Sequence, residues 1–366
     1  MSYKILLFSV NRHQETYFEK LLGAIKKGDE GVSLHKRKLA LRLPSLSIRK
    51  SDILLAKEVS RMRMAYFYNK TGRNDNSVRY STRLISHIIT TLYFLLRAKR
   101  FIQTEGFDLI ILWNDMKWHQ YVIKKIAKEI NIKTIFFENG TLPNTVTFDP
   151  KGVNFNNSVP RNKQFYLDRI PEVVENFENE SNADLQQGYI FIPFQVDYDS
   201  QIISHSPWLK NMEELFFTIE KQLTSLPDGL KVVIKEHPKS SRCYKHLHKK
   251  NPRIIFKNLD DTDDLIRDSK MVITINSTVG LESILKGKPV LVLGNAFYSI
   301  GGLCQRVVSE EELRQAMLKI SPPNQIIKRS FYEYLKEYYV EGNWHNPTVQ
   351  HIKLIEEKVY RHLEKA

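Results

Sequence analysis

The sequence predicts an α/β chain of two Rossmann-like domains, each built on a mainly parallel sheet. Three observations predict it. Short apolar runs of strand length alternate with helical patterns, the order expected of parallel βαβ units. Those runs are nearly unbroken in apolar residues, as strands covered on both faces must be. And 366 residues exceed what one hydrophobic core usually serves, so two domains are expected.

Taken in order, the first domain covers residues 1–170 and opens with a strand at Lys4–Val10. A helix follows at about Gln14–Lys27, with Tyr17, Phe18, Leu21, Leu22 and Ile25 on one face. A basic insertion occupies 35–100, after which strands at Asp108–Trp113 and Lys133–Phe137 flank an amphipathic helix at Tyr121–Ile130. Residues 171–187, rich in Glu, Asn, Asp, Ser and Gln, read as a linker. The second domain, 188–330, carries runs at Tyr189–Pro193, Lys231–Lys235, Arg253–Phe256, Met271–Ile275 and Pro289–Leu293. The closing segment 331–366 holds helical patterns at Phe331–Tyr339 and Pro347–His362, long enough to pack back across both domains. Two such domains leave a cleft between them, and ligands of open parallel sheets bind beyond the carboxyl ends of the strands.

Composition narrows the class. Apolar residues at 42% and charged residues at 26% exclude disordered, collagenous and low-complexity chains. Cys243 and Cys304 allow at most one disulfide and have no metal-ligand spacing, which fits a reducing, cytoplasmic setting. The run Ile5–Val10 is too short and wrongly flanked for a signal peptide. The most apolar long stretch, Leu84–Leu96, is interrupted by Ser86, His87, Thr90 and Thr91 and falls short of the ~20 residues a bilayer span needs.

The net charge of +14 is concentrated: between His35 and Arg100, 16 Lys and Arg stand against three acids, leaving 39 bases and 38 acids elsewhere. There the bases interleave with Leu39, Leu41, Leu43, Leu46 and Ile48, then Met62, Met64, Tyr66, Phe67 and Tyr68. Such a surface suits anionic lipid or glycolipid, nucleic-acid phosphates, or plain solvent. No nucleic-acid module signature accompanies it, so nucleic acid is not an expected partner. A peripheral place on the inner face of the cytoplasmic membrane is.

The residues after each strand supply the chemistry. Glu138-Asn139-Gly140-Thr-Leu-Pro143 follows one strand, a carboxylate set for general acid or base work or simply solvated there. Asp149 to Gly152-Val153-Asn154 and Ser158-Val-Pro160-Arg161 come next. Beyond the first strand of the second domain stands Gln195-Val-Asp197-Tyr-Asp199-Ser200-Gln201, with His205-Ser206-Pro207-Trp208 behind it. On an extended chain Asp197 and Asp199 share one side, as a carboxylate pair or as caps for a helix starting near Trp208. Lys235-Glu236-His237-Pro238 puts a cation and an imidazole on one side of a strand end, suited to an anionic ligand. Asn276-Ser277-Thr278-Val-Gly280 runs from strand into helix, either as a phosphate cradle or as ordinary capping by Ser277. Gly294-Asn295 to Tyr298, with Gly301-Gly302-Leu303, forms a Gly-rich turn that approaches a ligand closely. The acidic run Asp260 to Asp264 precedes apolar Leu265 and Ile266 and reads as a first helical turn; no metal site is expected.

Together, Glu138-Asn-Gly140 with Pro143, Gly152-Val-Asn154, Ser158-Val-Pro-Arg161, Gln195 with Asp199-Ser200-Gln201 and His205-Ser206-Pro207, Lys235-x-His237-Pro238, Asn276-Ser-Thr-x-Gly280 and Gly294-Asn295-x-x-Tyr298 resemble the bacterial capsule-biosynthesis β-Kdo glycosyltransferases. Kdo is 3-deoxy-D-manno-oct-2-ulosonic acid. The resemblance spans about Glu138 to Leu303; the first 130 residues carry no matching motif. It implies a GT-B-like enzyme that moves Kdo from CMP-Kdo, without a metal or other cofactor, and retains the β configuration. By the same resemblance Asp199 matches the nucleophile, with Asp197 as the alternative, and Glu138 the acid/base. His237 and Lys235 match the motif meeting the donor's anionic groups, His237 counting among the catalytic residues. Asn276, Ser277, Thr278 and Gly280 match the loop around the CMP phosphate. Gln195, Ser200, Gln201, Asn295 and Tyr298 join the donor-binding set, while Asn139, Gly140, Arg161 and His205 line the cleft. The acceptor implied is a lipid-linked glycan, such as an O-antigen chain end, or a lysophospholipid serving as a capsule linker.

Two other classes stand beside this reading. The same halves suit a transferase or epimerase using another nucleotide sugar, which binding of CMP against UDP separates. A non-catalytic membrane or nucleic-acid binding protein on an inert α/β scaffold is the other, and the presence of both Glu138 and Asp199 speaks against it.

Overall fold

A computed structural model of the chain describes residues 3–25, 32–36, 44, 47–169, 187–319 and 321–364. The linker expected at 171–187 lies, apart from Gln187, outside the described residues, as do 37–43, 45 and 46 of the basic insertion.

The chain begins with β1 (Ile5–Ser9), α1 (Arg12–Ile25) and β2 (Val32–Lys36), then the long helices α2 (Lys50–Thr71) and α3 (Ser77–Glu105). It continues through β3 (Leu109–Trp113), α4 (Trp118–Glu129), β4 (Lys133–Asn139), β5 (Thr145–Asp149) and α5 (Lys163–Asp168). Next come β6 (Gly188–Pro193), α6 (Ser200–His205), α7 (Met212–Gln222), β7 (Leu230–Lys235), β8 (Ile254–Phe256) and α8 (Thr262–Asp268). These are followed by β9 (Met271–Thr274), α9 (Thr278–Leu285), β10 (Val290–Val292), β11 (Gln305–Arg306) and α10 (Glu310–Leu318). The chain closes with α11 (Gln325–Tyr338), β12 (Val340–Glu341) and α12 (Val349–Glu364). Two compact units result: Met1–Ala65 with Asn74–Ser158 and Leu335–Ala366, and Tyr66–Arg73 with Val159–Tyr334.

The first unit's sheet runs β12-β5-β4-β3-β1-β2, parallel from β4 to β2 and antiparallel at β5 and β12. Its central strands are apolar throughout because both faces are covered. Leu6, Phe8, Ile110, Leu112 and Phe136 face a core shared with α3 and α4, whereas Ile5, Leu7, Leu109, Ile111, Ile135 and Phe137 face one shared with α1 and α12. Polar punctuation sets the helix limits. Asn76 caps α3 by accepting from the Arg79 N–H, and Gly106, at φ 66°, ends it in the left-handed conformation that glycine adopts without strain.

The basic insertion thus folds mainly as the antiparallel pair α2 and α3. Arg63 ties them, donating to the His87 carbonyl and to the Thr90 and Thr91 hydroxyls, with its guanidinium 4.4 Å over the Trp118 ring. Buried Lys99 is neutralised by Asp52 at 3.0 Å and Glu129 at 3.1 Å.

The second unit's sheet is parallel throughout, in the order β11-β10-β9-β6-β7-β8. The chain winds from β6 outward to β8, returns to β9 on the other side and winds outward again. Strand order therefore reverses between β6 and β9, the place where doubly wound sheets open a ligand crevice at their carboxyl ends. β5, the two-residue β11 and β12, and β2 before the basic segment went unread in the sequence; the first three are edge or hairpin strands with short or mixed apolar patterns.

Candidate active site

In the second unit the polypeptide leaving β6 and β9 is stitched across the switch point. Gln195 Nε2 donates to Asn276 Oδ1 at 2.9 Å, and Gln195 Oε1 accepts from the Asn276 N–H at 3.1 Å and the Thr274 hydroxyl at 3.3 Å. Asn276 Nδ2 reaches the carbonyls of Gln201 at 3.1 Å and His205 at 3.4 Å, and the Asn295 N–H donates to that same His205 carbonyl at 2.8 Å. Gln195, Asn276 and His205 are buried. The side-chain amides of Gln195 and Asn276 are spent on one another and on the backbone carbonyls of Gln201 and His205, so they shape the crevice by fixing three loops.

Asp197 and Asp199 part company. The Asp199 N–H bonds the Val196 carbonyl at 2.9 Å, a turn that replaces the extended chain expected there and sends the two carboxylates to different places. Asp197 is fully buried and accepts from the Met212 N–H at 2.7 Å and the Tyr244 hydroxyl at 2.6 Å, with Arg242 3.7 Å away. Burial pushes its carboxyl above the usual carboxylate range, against the pull of those partners. Asp199 is exposed and caps α6, Oδ1 accepting from the Gln201 N–H at 2.8 Å, with the Ser200 hydroxyl 3.5 Å away. The helix it caps is α6; the helix expected near Trp208 begins only at Met212, behind the Asn211 cap.

His237 lies where it feels the charge of Asp199. Its Nδ1 accepts from the Lys239 N–H at 3.1 Å, which leaves the proton of the neutral ring on Nε2. Burial and Lys239 together depress its pKa, although Asp199 works the other way. Lys235, at the end of β7, donates to the Asp260 carbonyl. The acid between them is matched: Glu236 Oε1 pairs with His248 Nε2 at 2.8 Å, and that imidazole stacks on Phe256.

The turn from β9 into α9 is held from behind. Ser277 Oγ accepts from the Val279 N–H at 3.2 Å, so Ser277 is an N-cap, and Thr278 is exposed at the positive end of the helix dipole. Tyr298 is buried and its hydroxyl donates to the Ser277 carbonyl. A Cβ at Gly280 would come 2.5 Å from that hydroxyl and 2.8 Å from the Thr274 methyl. Tyr298 and Gly280 thus set the turn's shape by packing. Asn295 Oδ1 accepts from Arg306 at 2.6 Å, and Arg161 lies 6.0 Å from the Phe297 ring and donates to the Val159 carbonyl. Asp261 caps α8, the acidic first turn expected there.

In the first unit Glu138 is the penultimate residue of β4 and is half-buried. Asn114 Nδ2 donates to Glu138 Oε2 at 2.7 Å, and the Asn139 N–H to Oε1 at 3.1 Å. Asn114 is itself locked, at φ 69° and with Oδ1 accepting from the Met116 and Lys117 N–H groups. Asn139 is exposed beside it, and Gly140 makes the tight turn to β5, where a Cβ would strike Thr145.

Two buried acids missed as site builders hold the next loop. Asp149 accepts from the N–H groups of Lys151, Gly152 and Ser158, from the Ser158 hydroxyl and from Tyr338 at 2.9 Å. Asp115 accepts from the Val153 N–H and from Asn156, and pairs with Lys124. A strand-end Asn-Asp pair such as 114–115 was the available signal, since Asn adopts the left-handed conformation more readily than most residues.

Compared with known proteins, the chain matches the family model described as capsule polysaccharide biosynthesis protein over residues 108–182 and 174–345. It is 34% identical over 251 residues to Protein FixF of Sinorhizobium fredii, covering 65% of this chain and 62% of that protein. The chain therefore spans under two thirds of that relative's length. It is 26% identical over 274 residues to the capsule polysaccharide export protein KpsS of Escherichia coli, covering 54% of this chain and 69% of that protein. Among solved structures, it is similar to Thermosulfurimonas dismutans KpsC, beta Kdo 2,7 transferase, at TM-score 0.46 and 14% identity over 91% of this chain and 99% of that one.

Proposed function

The chain belongs to the capsule polysaccharide biosynthesis protein family, and from that premise we propose that it is a retaining glycosyltransferase moving Kdo from CMP-Kdo to a membrane-borne glycan acceptor. The acceptor is an O-antigen chain end or a lysophospholipid capsule linker. The observation that carries the reading is the division of labour at the switch point: Asp197 is locked inside by Tyr244, Met212 and Arg242, while Asp199 stands exposed two residues on.

In this reading an Asp199 oxygen attacks the anomeric carbon of Kdo as the bond to CMP breaks, the electron pair leaving on the phosphate oxygen. Lys235, the Nε2–H of His237 and the positive end of α9 at Thr278 stabilise the departing phosphate, with no metal required. Glu138 then takes the proton of the acceptor hydroxyl as its oxygen attacks the same carbon and expels Asp199. Two inversions restore the β configuration. Gln195, Asn276, Gly280 and Tyr298 serve by positioning the loops that bind CMP, and Asn114 by holding the Glu138 carboxylate. The reaction takes place at the inner face of the cytoplasmic membrane, to which the basic segment 35–100 brings the enzyme.

The test is CMP release from CMP-Kdo generated in situ, with and without a lipid-linked acceptor. Wild type should release CMP and Asp199→Asn should not; equal inactivity of wild type, alongside tight binding of UDP in place of CMP, would transfer the assignment to another nucleotide sugar.

A further inference from the structure

α3 has two faces. Inward, Leu95, Leu96, Ala98, Phe101 and Ile102 enter the core of the first unit. Outward, Val78, Ile85, Ile89 and Tyr93 recur at spacings of seven, four and four, which keeps them on one side of an α-helix. They are 72%, 56%, 62% and 52% exposed. Exposed apolar residues scattered singly are ordinary, but an apolar stripe along about 22 Å of one helix marks an interaction surface.

The charge around the stripe says what it fits. From Ser77 to Tyr93 the helix holds no acid. Arg79 and Arg100 are exposed, and the Arg97 guanidinium lies 5.3 Å from the Tyr93 ring. Lys99 is buried between Asp52 and Glu129, and Arg83 pairs with Asp75. Apolar side chains that reach headgroup depth, with cations beside them, match a bilayer carrying anionic lipid. Among the described residues no helix is long and apolar enough to cross a membrane. We propose that the outer face of α3, through Val78, Ile85, Ile89 and Tyr93 flanked by Arg79, Arg97 and Arg100, seats the protein in the plane of an anionic bilayer surface. The proposal rests on the preceding reading only for the membrane-borne acceptor; vesicle binding is independent of donor chemistry.

The test is sedimentation of the full chain with phosphatidylcholine vesicles, alone or with about 30% phosphatidylglycerol. Wild type should sediment with the anionic vesicles only, less so as salt rises. Ile85→Glu with Ile89→Glu should lower partitioning on the order of tenfold or more, since two anchors are lost and two acids gained. Ile89→Trp should shift its fluorescence to the blue on binding. Three results would overturn the proposal: no preference of wild type for anionic vesicles, wild-type partitioning by the double Glu variant with an unchanged circular dichroism spectrum, or bound Ile89→Trp without a blue shift. Light scattering that finds a wild-type dimer, made monomeric by the double Glu variant, would assign the face to a second copy and overturn it too. CMP release measured without lipid reports on the catalytic reading separately, so either can fail while the other stands.

Discussion

Asp197 and Asp199 carry the same functional group two residues apart, and their surroundings divide the work between them. Removing the buried Asp197 carboxylate by Asp197→Ala strands the Tyr244 hydroxyl and the Met212 N–H. The expected cost is on the order of 3 kcal/mol of stability, visible as a lower melting temperature. Asp199→Asn keeps a good N-cap and should melt like wild type while losing all CMP release. At Glu138 the counterpart is Asn114→Gly, which preserves the left-handed backbone and deletes the amide donor. A hydrogen bond to a charged group is worth about 1.5–3 kcal/mol, so transfer to acceptor should slow roughly ten- to a hundredfold while formation of the Kdo adduct proceeds. His237 sets a pH dependence. Its pKa is depressed by burial and by Lys239, so it is neutral above that lowered value and gains its charge only on acidification. KM for CMP-Kdo, whose phosphodiester and carboxylate stay ionised, should fall as pH drops from about 7 toward 5; in His237→Asn it should not. The positions of Asp197, Asp199, Glu138 and His237 were legible from the sequence because each lies at or just beyond the carboxyl end of a strand; that of Asn114 was not. The choice between the two aspartates was not, since it depends on a turn closed by Val196 and on Tyr244, far along the chain.

Among elements, the turn from β9 to α9 is the one whose shape is set from behind. Gly280→Ala drives a methyl into a pinned ring hydroxyl and a threonine methyl. Neither is the loose tip of a flexible chain, so the overpacking should cost about 1–3 kcal/mol and weaken CMP binding as the turn moves. Tyr298→Phe removes the nearest atom and should restore part of both losses in the Gly280→Ala background. A double-mutant cycle measured by denaturant unfolding checks this, because two independent changes would add. The glycine was readable as special, but its reason was not. Sequence suggests that a glycine admits a ligand, whereas here it admits Tyr298. The stitching of Gln195 to Asn276 was hidden likewise, because strand order, which brings positions 81 apart together, is not written in any local pattern.

For the molecule as a whole, the two-unit α/β architecture was legible because the central strands of both sheets are parallel and doubly covered, so they appear as plain apolar runs. Leu109–Trp113 and Leu230–Lys235 were foreseen to within a residue. What escaped were strands lacking that signature: β5 is an antiparallel partner in which polar and apolar residues alternate, and β11 and β12 are two residues each. Donor chemistry balanced by Lys235, His237 and α9 predicts that chelation with EDTA leaves the transfer rate unchanged; a lost rate restored by magnesium would refute that charge balance. The central claim is that a carboxylate at Asp199 captures Kdo. It is tested most directly by intact-mass and peptide spectra of the protein incubated with CMP-Kdo generated in situ, comparing wild type with Asp199→Asn and Asp197→Asn. A Kdo-sized mass increase on wild type should map to Asp199, be absent in Asp199→Asn and persist in Asp197→Asn. An adduct that maps elsewhere, or one that survives in Asp199→Asn, would contradict it.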